Sequence, residues 1–295
     1  MFGSRPDRRT HGARAVVTGA GSGIGRAFAV ELARRGGSVI CADIDTDRAR
    51  ETASIIDELG MGSAHAVFCD VSRTEDIDAL ADLAEDHFAA PTSLMINNAG
   101  VGIGGRPVGE IGLADWQWAL GINLWGMVYG SERFVPQLRR SGRAGLINVA
   151  STAAFSAAPA MAAYNVGKAG VLALSETIAA ESGGSDLAVT VLCPTFVKTN
   201  VAVDGRIAGG ASQLAQTAMR WTGVSAERVA RTTLDAHDHG RLYVVPQPDA
   251  RLIWAAKRHL PRTYTAGLGL LNRALPALDR LSGATPGPQP TRTGV

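Results

Sequence analysis

Thr18-Gly19-Ala20-Gly21-Ser22-Gly23-Ile24-Gly25 decides how this chain folds. The apolar run Ala15-Val16-Val17 stands before it, and residues 26–35 after it carry apolar side chains at helical spacing, so the stretch reads as strand, turn, helix. Glycine suits such a turn because a Cβ would keep the backbone from approaching a bound group. The free amides opening a helix attract an anion, above all a phosphate. Taken alone the cluster fits an ordinary tight turn equally well, so its surroundings carry the argument.

Outward from this stretch the same alternation repeats. Apolar runs at 38–42, 64–68, 94–96, 146–149, 189–192 and 242–245 alternate with helical patterns at 46–59, 75–88 (capped by Ser72), 114–138, 158–181 and 226–235. Strands separated by helix-length segments predict right-handed crossovers and a parallel sheet, and apolar residues at successive strand positions predict burial on both faces. The expected fold is α/β: a doubly wound parallel sheet of the Rossmann type, a three-layer αβα sandwich. One domain spans 14–246. Residues 1–13 are expected to be flexible, 247–281 to form a helical extension, and 282–295 to be a disordered Pro/Gly/Thr tail.

Composition narrows the function. A net charge of +2 with no pattern of stacking aromatics in a basic groove disfavours nucleic acid and favours a small-molecule partner. Cys41, Cys69 and Cys193 lie in or at the end of apolar runs without metal-like spacing, which predicts reduced, buried thiols and a cytoplasmic setting. The basic N-terminus lacks an apolar signal core, and no stretch reaches the roughly 18 apolar residues of a membrane span. His237-Asp238-His239 reads as a solvated loop and not a zinc site.

The second apolar run ends at Asp43, about 20 residues beyond the glycines, where a dinucleotide-binding fold carries an acid for the adenosine ribose hydroxyls. Its carboxylate would repel a 2′-phosphate. Neither Ser22 nor Ile44 supplies a compensating charge, although Arg48 is near in sequence, so NAD(H) is favoured over NADP(H).

Tyr164 and Lys168 are four apart in a helical pattern and share a face. A free phenol titrates near about 10, but an adjacent ammonium and a cationic nicotinamide would both favour phenolate, making a usable acid/base.

The glycine run, Asp70-Val71, Asn97-Asn98-Ala99-Gly100, Asn123, Ser151 and Tyr164 with Lys168 occur in the order found in the short-chain dehydrogenase/reductase family, which the chain resembles over about residues 14–245. The resemblance implies hydride exchange between a nicotinamide and a secondary alcohol or ketone. Tyr164 would be the proton carrier, Ser151 the hydrogen-bond donor to the reacting oxygen, Lys168 the holder of the ribose, and Asn123 a support for a proton path. It further implies cofactor contacts at Gly19, Ser22, Gly23, Ile24, Gly25, Asp70, Val71, Asn97, Ala99, Gly100, Pro194, Val197 and Thr199. One departure is that Pro194-Thr195 stands where the family usually has Pro-Gly, putting a branched side chain beside the nicotinamide site.

Substrate choice is assigned to residues 102–107, 153–161 and 199–222, with Phe155, Met161, Phe196 and Trp221 as pocket walls, which favours a lipophilic or aromatic alcohol. Residues 251–281 hold six Lys/Arg against one acid among Leu, Ile and Trp254, a composition able to lie on a membrane surface. Docking on the body or a partner subunit is favoured instead, because Pro261 and Pro276 interrupt the segment. The resemblance also implies a homodimer or homotetramer. Rival readings are a non-catalytic NAD-binding regulator or scaffold on the same fold, and an epimerase or dehydratase of the extended relatives.

Overall fold

The computed structural model describes residues 8–197, 205–207 and 224–281, the last eight by backbone alone. Along the chain run β1 (Arg14–Thr18), α1 (Gly23–Arg34), β2 (Ser38–Asp43), α2 (Thr46–Leu59), β3 (Ser63–Phe68), α3 (Thr74–Phe88), β4 (Leu94–Asn97) and the short β5 (Ile103–Gly104). Then come α4 (Leu113–Leu120), α5 (Gly126–Arg140), β6 (Ala144–Val149), the single turn α6 (Ala153–Ser156), α7 (Ala162–Glu181) and β7 (Leu187–Leu192). The last elements are β8 (Arg206–Ile207), α8 (Ala226–Asp238), β9 (Tyr243–Val244), α9 (Pro248–His259) and α10 (Pro261–Leu281).

Seven parallel strands form one sheet in the order β3-β2-β1-β4-β6-β7-β9, and β5 pairs with β8 in a separate two-stranded ribbon. Successive strand residues point to opposite faces. Ala15, Val17, Val39 and Cys41 therefore meet Phe28 and Leu32 of α1, Ile56 of α2 and Leu234 of α8. Val16, Ile40 and Ala42 meet Ile77 and Leu80 of α3 and Phe134 and Leu138 of α5. That double burial is why the strands are apolar without alternation, and it confirms the expected doubly wound sandwich. The strand order reverses between β1 and β4, and such a switch point opens a crevice beyond the carboxyl ends of the strands.

Several local expectations are corrected. The helix expected over 114–138 is α4 and α5 joined by a π turn at Gly121–Trp125. One extra residue per turn barely disturbs apolar spacing, so periodicity could not reveal it. The helix expected from 158 begins at Ala162, because Ala157 and Ala160 adopt left-handed φ values of 51° and 57°. Ser72 does not cap α3. Its amide and hydroxyl both donate to Asp70 Oδ1 instead, and Arg73 occupies the cap position. In the segment expected to be flexible, Thr10 is buried, and its hydroxyl and amide donate to Asp238.

His237 and Asp238 are not a solvated loop: they are buried in the last turn of α8. His237 Nδ1 lies 2.8 Å from Thr190 Oγ1, and burial holds the ring neutral, with a pKa lowered to about 4 despite the opposing charge of Asp238. The unfolded chain therefore binds this proton first. The contribution of His237 is complete above about pH 6.5 and is lost as pH falls toward 4, by up to about 3 kcal/mol. Urea unfolding at pH 7 and pH 4 should show a smaller acid loss in His237→Asn than in the unmodified chain; equal losses would exclude His237 as a source.

The extension folds as two helices broken only at Leu260, and the second runs on through position 276, so Pro276 does not interrupt it. Trp254 of α9 stacks on Phe155 of α6 at 5.4 Å and meets Tyr243 edge-on at 5.1 Å. Among the described residues no helix is long and apolar enough to cross a membrane, and no three His, Cys, Asp or Glu side chains gather to hold a metal. The three cysteines are unpaired and buried, their thiols pushed up to about 12 chiefly by desolvation.

Candidate active site

A cleft of about 790 Å³ lies over the carboxyl ends of the strands, lined at one part by the glycine turn and at another by Ser151, Tyr164 and Lys168. The turn is tight because it must be. Gly19 and Gly23 have φ values of 64° and 54°. A Cβ on Gly25 would lie 2.0 Å from the Gly19 carbonyl oxygen. Ser22, Gly23 and Ile24 border the cleft where α1 begins, with no side-chain cap and no acid in the first turn, so the helix opens toward the cleft with amides able to receive an anion.

Asn98, absent from the sequence-predicted site, fixes this turn. Its Nδ2 donates to the carbonyls of Thr18 at 2.9 Å and Gly19 at 3.2 Å, while its own amide donates to Thr18 Oγ1. The available signal was position alone, the first residue beyond a strand that pairs with β1. The Asn97 side chain is buried and does not line the cleft, donating to Asn148 Oδ1 at 2.9 Å and Ser131 Oγ at 3.4 Å. Strand alternation sends neighbouring asparagines to opposite sides.

Asp43 lines the cleft and braces the turn. Its Oδ2 accepts from the Gly21 amide at 2.8 Å and its Oδ1 from the Asp45 amide at 2.9 Å, which leaves further lone pairs for a ligand. Arg48 borders the cleft beside it, as do Asp70, Val71, Ala99 and Gly100. Gly100 is bare for a reason: a Cβ there would meet Asn123 Oδ1 at 2.9 Å and Lys168 Nζ at 3.2 Å.

Asn123 sits in the π turn, buried, and clamps Val101 by accepting from its amide at 3.0 Å and donating to its carbonyl at 2.8 Å. Ser151 follows β6; its Oγ donates to the Pro194 carbonyl at 3.4 Å and accepts from the Ala153 amide at 3.1 Å, and it borders the cleft together with Tyr164. Lys168, one turn along α7 from Tyr164, donates to the Val149 carbonyl at 3.0 Å and lies 5.9 Å from the tyrosine ring centroid.

Burial raises the Tyr164 pKa above its ordinary value, opposed by Ser151; the expected shift toward phenolate rested on Lys168 and a cationic nicotinamide together. The ammonium is itself buried, which lowers its pKa to about 8, with the neighbouring Cys193 acting in the opposite direction. The protein's own groups therefore favour a neutral phenol. Together with the Ser151 hydroxyl in the same cleft, that is a group able to donate a proton to a bound oxygen.

Thr195 finds partners in the extension, which accounts for the departure from Pro-Gly. Its amide donates to Gln247 Oε1 at 3.2 Å and its hydroxyl to Asp249 Oδ1 at 3.3 Å, while Gln247 Nε2 donates to the Phe196 carbonyl. Pro194, Phe196 and Val197 line the cleft with it. Met161 is a wall as expected, but Phe155 is turned into the core against Trp254. Thr199, Trp221 and nearly all of 199–222 lie outside the described residues.

A family model described as short chain dehydrogenase matches residues 13–207. The 1-deoxy-11-beta-hydroxypentalenate dehydrogenase of Streptomyces exfoliatus is 37% identical over 244 residues, covering 81% of this chain and 84% of that protein. The 7alpha-hydroxysteroid dehydrogenase of Escherichia coli (strain K12) is 31% identical over 200 residues, covering 68% and 76%. Among solved structures, a short chain dehydrogenase/reductase from Burkholderia phymatum in complex with NAD is similar with a TM-score of 0.79 at 31% identity, covering 85% of this chain and 94% of that one.

Proposed function

Because this chain belongs to the short-chain dehydrogenase/reductase family, we propose that it is an NAD(H)-preferring enzyme interconverting a lipophilic or aromatic secondary alcohol and its ketone, with Tyr164 carrying the proton. At the coarser level it is an NAD(P)-dependent alcohol/ketone oxidoreductase. The observation that supports the finer reading is that Ser151, Tyr164 and Lys168 line the same cleft as the glycine turn and Asp43.

The residues suit a dinucleotide, since a Cβ at Gly25 would fill the cradle and the amides opening α1 are uncapped. Gly19, Ser22, Gly23, Ile24 and Gly25 would hold the pyrophosphate, Asp43 the adenosine ribose, Asp70 and Val71 the adenine. Ala99, Gly100, Pro194 and Val197 would border the rest; Asn97 is not proposed as a contact. The nicotinamide, when bound, supplies or accepts the hydride. Tyr164 gives its proton to the ketone oxygen in reduction, and the Ser151 hydroxyl donates a hydrogen bond to that oxygen as charge develops. Lys168, poised near neutrality, resupplies the proton, and Asn123 keeps the π turn clamped beside it. A homodimer and a cytoplasmic setting belong to the same reading, the latter supported by three unpaired thiols.

Asp43 sets the cofactor choice through repulsion of a 2′-phosphate, which at an effective dielectric near 20 is worth roughly a few kcal/mol at contact and less with Arg48 close by. Steady-state ketone reduction should favour NADH over NADPH at least about tenfold, and Asp43→Asn should narrow that ratio about tenfold. Preference of the unmodified enzyme for NADPH would overturn this part.

A further inference from the structure

We propose that the C-terminal helices α9 and α10 form a substrate subsite, an apolar chamber for the ring body of the alcohol, in which Tyr264 and Leu268 determine specificity. This rests on the dehydrogenase reading above. The match to the family model ends at residue 207, so nothing in it assigns a role to these helices.

Ile253 of α9 and Tyr264 and Leu268 of α10 line the cleft that holds Ser151 and Tyr164. Tyr264 and Leu268 are four apart and so share one helix face; they are partly covered, while residues 265–267 between them are exposed. α10 thus presents one apolar stripe to the cleft.

The stripe is fixed from both sides of the reacting hydroxyls. Tyr264 Oη donates to the Ser156 carbonyl at 2.7 Å, five residues beyond Ser151, and Trp254 stacks on Phe155 of the same turn. On the other side, Gln247 and Asp249 hold Thr195 and the Phe196 carbonyl. Five contacts from a segment of under twenty residues hold α9 and the start of α10 against the turn after β6 and the residues after β7.

The chemistry of the wall names the ligand. Among the described residues of α9 and α10 that line the cleft, the polar side-chain atom is Tyr264 Oη, which donates to the Ser156 carbonyl, and Ile253, Leu268, Met161 and Ile207 add apolar surface. An uncharged ring body gains from such a surface, whereas a short-chain ketone does not reach it.

The test compares a fused two-ring ketone, 1-decalone, with 2-butanone, using the full chain and NADH. Leu268→Trp should lower kcat/KM for 1-decalone at least tenfold and leave 2-butanone within twofold, and Tyr264→Phe, which keeps the ring and removes the anchor, should lower 1-decalone about threefold. NADH affinity, read by fluorescence titration, should not change. An unaltered 1-decalone to 2-butanone ratio in both variants overturns the subsite, as does a parallel loss for both ketones. If the unmodified enzyme reduces neither ketone, the dehydrogenase reading fails. Calorimetric titration of 1-decalone into the NADH-loaded protein then still tests the chamber: binding weakened by Leu268→Trp supports it, and unchanged or absent binding overturns it.

Discussion

Tyr164→Phe is expected to lower turnover by about a thousandfold, within the roughly 10²–10⁴ that a positioned acid/base contributes, while NADH affinity stays within about twofold. The substitution removes one oxygen and leaves the ring packed near Ile103, Ala119 and Ala163. Ser151 remains to polarise the ketone, so a residue of activity should persist. Loss of one hydroxyl should cost about 1 kcal/mol of stability, too little to unfold the chain. The pH dependence has a definite sign. Reduction consumes the neutral phenol that burial favours and should be sustained toward low pH, whereas oxidation needs the phenolate and should climb as pH rises. Single-turnover traces with NADH and with NAD at several pH values read both arms. A variant that keeps full turnover would move the proton elsewhere, and an unmodified chain that binds NADH without turning over any alcohol or ketone would favour the regulator or scaffold alternative.

The fold was legible because its cause is local and repeated. Val16 and Val17 face opposite helical layers, so an unbroken apolar run followed by glycines already implies a strand buried on both sides. Tyr164 and Lys168 were legible because a spacing of four puts two side chains on one helix face. What stayed hidden depends on the third dimension. Asn97 and Asn98 are adjacent in sequence, yet one joins a buried network with Asn148 and the other pins the Gly19 carbonyl. His237 looks polar in a polar stretch, and only the closing of α8 over Thr190 buries it. The extension was expected to dock on the body or a partner subunit, and it docks on the body; its partners there, Ser156, Thr195 and Phe155, could not be named because they lie far from it along the chain. The burial of Tyr164 stayed hidden for a related reason, since desolvation depends on packing that no spacing reports.

Gly25→Ala should be the most damaging single methyl group that can be added to the cofactor site. The new Cβ would fall 2.0 Å from the Gly19 carbonyl oxygen and 2.5 Å from Asn98 Nδ2, so a backbone atom must move. Gly19 cannot move freely, because its own α-carbon is pressed near Ala99 and its φ is left-handed. Displacing its carbonyl breaks the Asn98 bond and shifts the amides of Ser22 to Ile24 that would hold the pyrophosphate. Overpacking of this kind costs about 1–3 kcal/mol, read as a lower Tm, and losing one or two amide bonds to the pyrophosphate, at about 1.5–3 kcal/mol each, would weaken NADH about a hundredfold. Two further variants separate these effects. Gly21→Ala meets Arg48 Cβ at 2.7 Å and Asp43 Oδ2 at 2.8 Å, so it disturbs the adenosine end of the site instead of the Gly19 carbonyl, and NADH binding should weaken there too. Gly36→Ala meets nothing within 4 Å but has a φ of 77°, so it should lower Tm by strain alone and leave NADH affinity untouched. Equal NADH affinity across all three variants would mean that the turn before α1 is a structural hairpin of the backbone and that the dinucleotide is held elsewhere.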